Sequence, residues 1–129
     1  MAELHPNAQN VLKGFQAFAE GDMATMKELF DDDATWNVGG RNRWSGSYKG
    51  VDAILGFFGE ISQEASISQD MHAVLADDEH VVALINSTTT RDDRTLEAQL
   101  IFVFHVSDGT VSDVWSTSLD DYANDEFWA

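Results

Sequence analysis

The sequence predicts an α+β domain in which three N-terminal helices pack on a curved antiparallel sheet. In the first third, apolar residues recur every three or four positions, as they do along one face of a helix. Later they alternate: Leu96, Ala98, Leu100, Phe102, Phe104 and Val106 fall on one face of a strand and must be core. Short turns, Asp77-Asp78-Glu79, Asp92-Asp93 and Ser107-Asp108-Gly109, separate the last four strand-like runs, and connections that short make an antiparallel meander.

The first helix starts near His5-Pro6, because proline is tolerated in a first helical turn, and it carries Val11, Leu12, Phe15, Phe18 and Ala19 on one face up to Gly21. Asp22 is the N-cap of a second helix with Met23, Met26, Leu29 and Phe30 as its stripe. Asp31-Asp32-Asp33 closes that helix as an exposed turn. A short strand at 34–38 follows, and then a loop from Gly39 to Gly50 with four glycines, two arginines, Trp44 and Tyr48. Val51, Ile54, Leu55, Phe58 and Ile61 give a third helix ending near Gln63. Strands at about 67–76, 80–91, 95–106 and 110–118 form the meander, and the segment from Asp120 docks Tyr122, Phe127 and Trp128 as a short helix or turn.

A chain of 129 residues, 43% of them hydrophobic, can bury one sizeable core, so a single domain spanning 1–129 is expected. Seven Lys and Arg against 23 Asp and Glu leave a formal charge of −16. Such a surface repels phosphate backbones and anionic lipid, which disfavours nucleic acid and membrane as partners. There is no secretory leader pattern and no apolar run of about 18 residues, which fits a cytoplasmic setting. The absence of cysteine removes thiol chemistry, and no two histidines have metal-ligand spacing, so no metal and no cofactor are expected.

Two stretches at opposite ends carry a family resemblance. Phe15-Gln16-Ala17-Phe18-Ala19-Glu20-Gly21-Asp22 runs on to Leu29-Phe30 and Asp33-Ala34-Thr35-Trp36, while Asp108-Gly109-Thr110-Val111-Ser112-Asp113-Val114-Trp115 precedes Asp121-Tyr122-Ala123-Asn124-Asp125-Glu126-Phe127-Trp128. Together they resemble the SnoaL-like branch of the nuclear-transport-factor-2-like superfamily, over nearly the whole chain. The resemblance implies a cone around a pocket, and a sheet-to-sheet homodimer.

It also implies positions for chemistry. The ketosteroid isomerases of that superfamily use a tyrosine, a carboxylate base and a buried acid, whose places fall here on Phe15, Val38 and Phe102. None of the three can do that work. The aspartate that follows a tryptophan in SnoaL-type polyketide cyclases corresponds to Ser116, and the arginine with two acids of limonene-epoxide-hydrolase-like members has no counterpart on the apolar face from Leu96 to Val106. The pocket expected from this lining is greasy, formed by Phe15, Trp36, Val38, Trp44, Tyr48, Phe58 and Phe102, and its ligand a small apolar molecule.

His72 is the leading candidate for an acid or base, since histidine changes charge closest to neutral pH, while Asp113 would be a carboxylate base only if its face turned inward, and it shares parity with Trp115. A histidine bonded to a neighbour at the sheet surface fits the same sequence. Arg41 and Arg43 suit an anionic ligand or, in so acidic a chain, pairing with nearby acids. The second face of the third meander strand, with Ile101 and Val103 beside the parity neighbour Trp115, is too apolar for solvent and reads as a homodimer contact; a patch covered by the C-terminal segment gives the same pattern. Two functions remain: an isomerase, cyclase or hydratase of a small apolar cyclic compound, using His72, or a non-catalytic ligand-binding or protein-assembly module.

Overall fold

Proline at position 6 opens α1 (Pro6–Glu20), where its fixed φ suits the first turn and its missing N–H leaves nothing unpaired. The computed structural model describes residues 4–129. His5 caps α1 by accepting from the Asn7 amide at 3.1 Å, and Gly21 ends it in the left-handed region at φ 72°. Asp22 caps α2 (Met23–Leu29), accepting from the Thr25 hydroxyl at 2.6 Å and the Thr25 amide at 3.1 Å. Those bonds, the hydroxyl first, hold the Asp22 carboxyl below its ordinary value. The stability contributed by the cap is therefore present above the ordinary Asp range, about 4, and fades as pH falls through the lowered value.

After α2 come β1 (Phe30–Val38), β2 (Gly46–Lys49), α3 (Val51–Glu64), β3 (Ser66–Ala76), β4 (His80–Arg91), β5 (Arg94–Ser107), β6 (Thr110–Ser118) and α4 (Asp121–Phe127). The six strands form one sheet in the order β2-β1-β6-β5-β4-β3. From β6 to β3 it is the antiparallel meander expected, with Phe102 facing Ala83 on one side and Ser116 on the other. Four helices accompany it, so the α+β class holds.

Three local expectations need correcting. The sheet is mixed: β1 lies parallel to β6, Trp36 opposite Val114. Asp31, Asp32 and Asp33 belong to β1 and not to a turn, because the register of β1 against β6 shifts between Phe30 and Thr35 and lets the carboxylates stand at the sheet margin. There the Thr110 hydroxyl donates to the Asp31 carboxylate. The glycine-rich stretch is only partly loop, since its last residues pair antiparallel with β1, Trp36 opposite Tyr48. Gly46, at φ 126°, starts that strand in a conformation open to glycine.

α1 and α3 lie on the concave face of the sheet, and the core between them is aromatic. Trp36 sits at its centre, edge-on to Phe58 at 5.0 Å and to Phe102 at 5.4 Å, and Phe15 stacks on Phe102 at 5.6 Å. Phe102 and Phe104 are buried, as the alternation along β5 requires. Burying side chains of this size contributes about 1.5–3 kcal/mol each.

The convex face is apolar in the middle. Leu75, Val82, Val103 and Trp115 stand in one row across four strands, and Leu84 and Ile101 pair in the next. Trp115 is 47% exposed and Leu75 58%. α4 does not cover this row, for its Phe127 and the following Trp128 are buried in the concave core. Among the described residues, no helix is long and apolar enough to cross a membrane.

Candidate functional site

The helices do not fill the concave face, and a cavity of about 170 Å³ remains between α1, α3 and the sheet. Strand parity decides what looks into it. β1 supplies Trp36 and Val38, β5 supplies Leu100, Phe102 and Phe104, and the helices add Phe15, Phe18 and Phe58. Six of the seven expected pocket residues, Phe15, Trp36, Val38, Trp44, Phe58 and Phe102, thus meet on one wall.

Tyr48 lies behind that wall. Its ring stacks on Phe57 at 4.5 Å and its hydroxyl donates to the Trp44 carbonyl at 2.7 Å, so it braces Trp44 instead of lining the cavity. Burial first, and then the Glu60 carboxylate, raise the Tyr48 pKa and keep the phenol neutral. His72 is not at the wall either. It is the extra residue where the β3–β4 register shifts between Met71 and Ala73, and its side chain is exposed. A bulge of this kind leaves one residue out of the ladder, which is why alternation gives no guide to it.

The segment between β1 and β2 forms one side of the mouth, and α4 forms the other. Asp125 of α4 accepts from the Arg41 amide and from Asn42 Nδ2, both at 2.9 Å, while Asn42 Oδ1 accepts from the Trp44 amide at 2.9 Å. Arg43 pairs with Glu64 at 2.8 Å, tying the segment to α3 in the way expected of arginines in an acidic chain. Trp128 stands perpendicular to Trp44 at 5.5 Å. From the far side, Arg91 and Arg94 donate to the Phe127 carbonyl, with Arg91 over the Trp128 ring at 5.4 Å. Gly40 makes the clamp possible: its φ is 82°, and a Cβ there would meet Asp125 Oδ1 at 2.6 Å. Gly40→Ala is expected to lower stability by about 1–3 kcal/mol, read as a fall in melting temperature, and to free the indole fluorescence of Trp128.

The wall contains no ionisable side chain among the described residues. Its polar members are neutral. Ser116 accepts from Trp36 Nε1 at 3.0 Å and donates to the Asn37 carbonyl at 3.3 Å, so its hydroxyl is held by structure and has no base beside it. Gln69, Ser87 and Thr89 face the cavity from β3 and β4, with Asn42 and Asn124 at the mouth. Sequence reasoning missed these, together with Phe57 and Trp128 as wall residues. The signal for two of them was present, because Ser87 and Thr89 continue the buried parity of Val81, Ala83 and Ile85. Among the described residues, no three His, Asp or Glu stand close enough to hold a metal ion.

The family model for the SnoaL-like domain matches residues 11–114. The chain is a member of the SnoaL-like family. An uncharacterised protein of Mycobacterium tuberculosis is 26% identical to it over 122 residues, covering 92% of this chain and 93% of the other. Among solved structures, this SnoaL-like chain superposes on Bal32a, from a soil-derived mobile gene cassette, with a TM-score of 0.91 and 36% identity, over 96% of this chain and 97% of Bal32a. TerC, co-crystallised with polyporic acid, shares the fold at a TM-score of 0.83 and 16% identity, over 95% and 97% of the two chains. The cone implied by the sequence resemblance is thus the fold of this SnoaL-like domain.

Proposed function

We propose that this SnoaL-like chain binds a small, neutral, largely apolar molecule in its cone without proton-transfer chemistry of its own. The observation that carries the reading is the wall: aromatic and aliphatic side chains with neutral polar groups, and no acid, base or cation among the described residues. Isomerisation, cyclisation or hydration each require a group that takes or gives a proton at the reacting atom. Of the sequence candidates for that role, His72 is exposed, and neither it nor Asp113 lies on the wall. At about 170 Å³ the cavity slightly exceeds the 150 Å³ known to admit benzene, so a monocyclic body fits. TerC with polyporic acid is a small-molecule precedent for the fold.

Toluene at millimolar concentration is expected to raise the melting temperature, and benzoate at the same concentration to leave it unchanged, because a carboxylate would lose its water with no cation to meet it. Toluene affinity should be flat from pH 5 to 9, since nothing on the wall titrates there. Tighter binding of benzoate, or a toluene affinity that follows a single ionisation, would refute the reading.

The convex face is the contact between two copies of this chain. The support is its apolar row from Leu75 to Trp115, left open by α4, with His80, His105 and Asp113 as its polar border.

A further inference from the structure

Three of the polar side chains of the cavity stand together. Gln69 of β3 is directly opposite Ser87 of β4, and Thr89, two residues on, is opposite Ile67. All three look into the cone, two strands (β4) and three strands (β3) away from Ser116 of β6, whose hydroxyl is already paired with Trp36. Ser87 and Thr89 are more than nine-tenths buried, at 5% and 8% exposure. Yet among the described residues the side chains of Gln69, Ser87 and Thr89 make no hydrogen bond to protein, whereas the side chains of Ser116, Ser118 and Asn42 elsewhere on the wall each do.

Three neutral polar side chains without a protein partner thus stand side by side on one wall, two on buried residues and Gln69 half-buried, with their polar atoms open to the cavity. A ligand that closes the cavity over them without matching them leaves them unpaired, which is costly. Apolar residues would have closed the same space at lower cost, as Leu96, Ala98 and Leu100 do on the adjoining strand. The three groups offer both N–H or O–H donors and oxygen acceptors, all neutral. The nearby cations are occupied elsewhere, because Arg91 and Arg94 hold the Phe127 carbonyl.

We propose that Gln69, Ser87 and Thr89 form a head-group subsite, and that the occupant of the cone is an amphipathic neutral molecule: a ring-sized hydrocarbon body on the aromatic wall, with a hydroxyl or carboxamide against this strip. The inference rests on the small-molecule reading above and specifies its ligand class. A carboxylate head is excluded by the absence of a cation, and a plain hydrocarbon leaves the strip dry and unpaired. The subsite also sets orientation, since it lies on β3 and β4 while the body meets β1, β5 and α3.

Benzyl alcohol and ethylbenzene test it, being nearly the same shape and differing in a hydroxyl against a methyl. Their affinities are measured by titration calorimetry on the whole chain and on Thr89→Val, Ser87→Ala and Gln69→Leu variants. The expected result is a loss of benzyl alcohol affinity of roughly tenfold, about 1.4 kcal/mol, in the combined variant, with ethylbenzene unchanged within about threefold or tighter. In the unmodified protein, benzyl alcohol and not ethylbenzene should shift the Gln69 side-chain amide resonances, a readout that does not depend on any variant folding. Equal losses for both probes, or ethylbenzene binding without benzyl alcohol, overturn the subsite and leave the cone as a binder of hydrocarbons. Binding of neither probe at millimolar concentration overturns the small-molecule reading itself, and the subsite with it.

Discussion

Trp36→Ala is expected to lower stability by about 3–5 kcal/mol, the range for truncating a large aromatic in a packed core. Trp36 touches Phe30, Phe58, Phe102 and Phe104 edge-on, and its indole N–H is bonded to Ser116, so its removal opens a void among rings that cannot collapse together. Since a domain of this size is stable by about 5–15 kcal/mol in all, the loss is a large fraction of the total. The melting temperature should fall by roughly 10–20 °C. Trp115→Ala on the convex face should shift the melting of the isolated monomer by only a few degrees, as Trp115 is half exposed. A fall below about 5 °C for Trp36→Ala would show that the concave aromatic cluster is not the organising core.

Ile101→Glu is expected to convert the protein to monomer in sedimentation analysis at high micromolar concentration. Ile101 pairs with Leu84 on one side and Thr117 on the other, inside the apolar patch, and two copies in contact would bury both new carboxylates. A loss of about 4 kcal/mol, modest for a buried unpaired charge, weakens association roughly a thousandfold. Tyr122→Glu is the control, because Tyr122 is almost fully exposed and off the patch. If the unmodified protein is already monomeric at that concentration, the interface does not exist.

The features legible in the sequence were those written by local periodicity. β5 could be read because every inward residue from Leu96 to Val106 is apolar, and α1 and α3 because their stripes hold the 3.6 period without interruption. β2 was not legible: Gly-Ser-Tyr-Lys has no alternation, and its partner is Trp36's strand, not a repeat within itself. The parallel pairing of β1 and β6 depends on residues 80 apart, which no local window sees. For the site, the aromatic wall followed from stripes and parity, whereas the position of His72 turned on a one-residue register shift in β3. Asn42 and Asn124 come from a loop and a helix of seven residues, and Asn42 is held at the mouth by Asp125, a contact that only the folded chain creates.

The side-by-side placement of β1 and β6 sets a timetable for biosynthesis. At about 5–20 residues per second, β1 leaves the ribosome roughly 4–16 s before the strand that will cover its inner edge. Closing so long a span is entropically expensive, so the β3 to β6 meander is expected to assemble first and the β1–β2 hairpin to join last. Until then β1 offers an unpaired strand edge to any neighbouring chain. Substitutions that slow the docking of β6, at Val114 above all, are therefore expected to lower the yield of soluble protein in cells more than the melting temperature of the molecules that do fold would suggest.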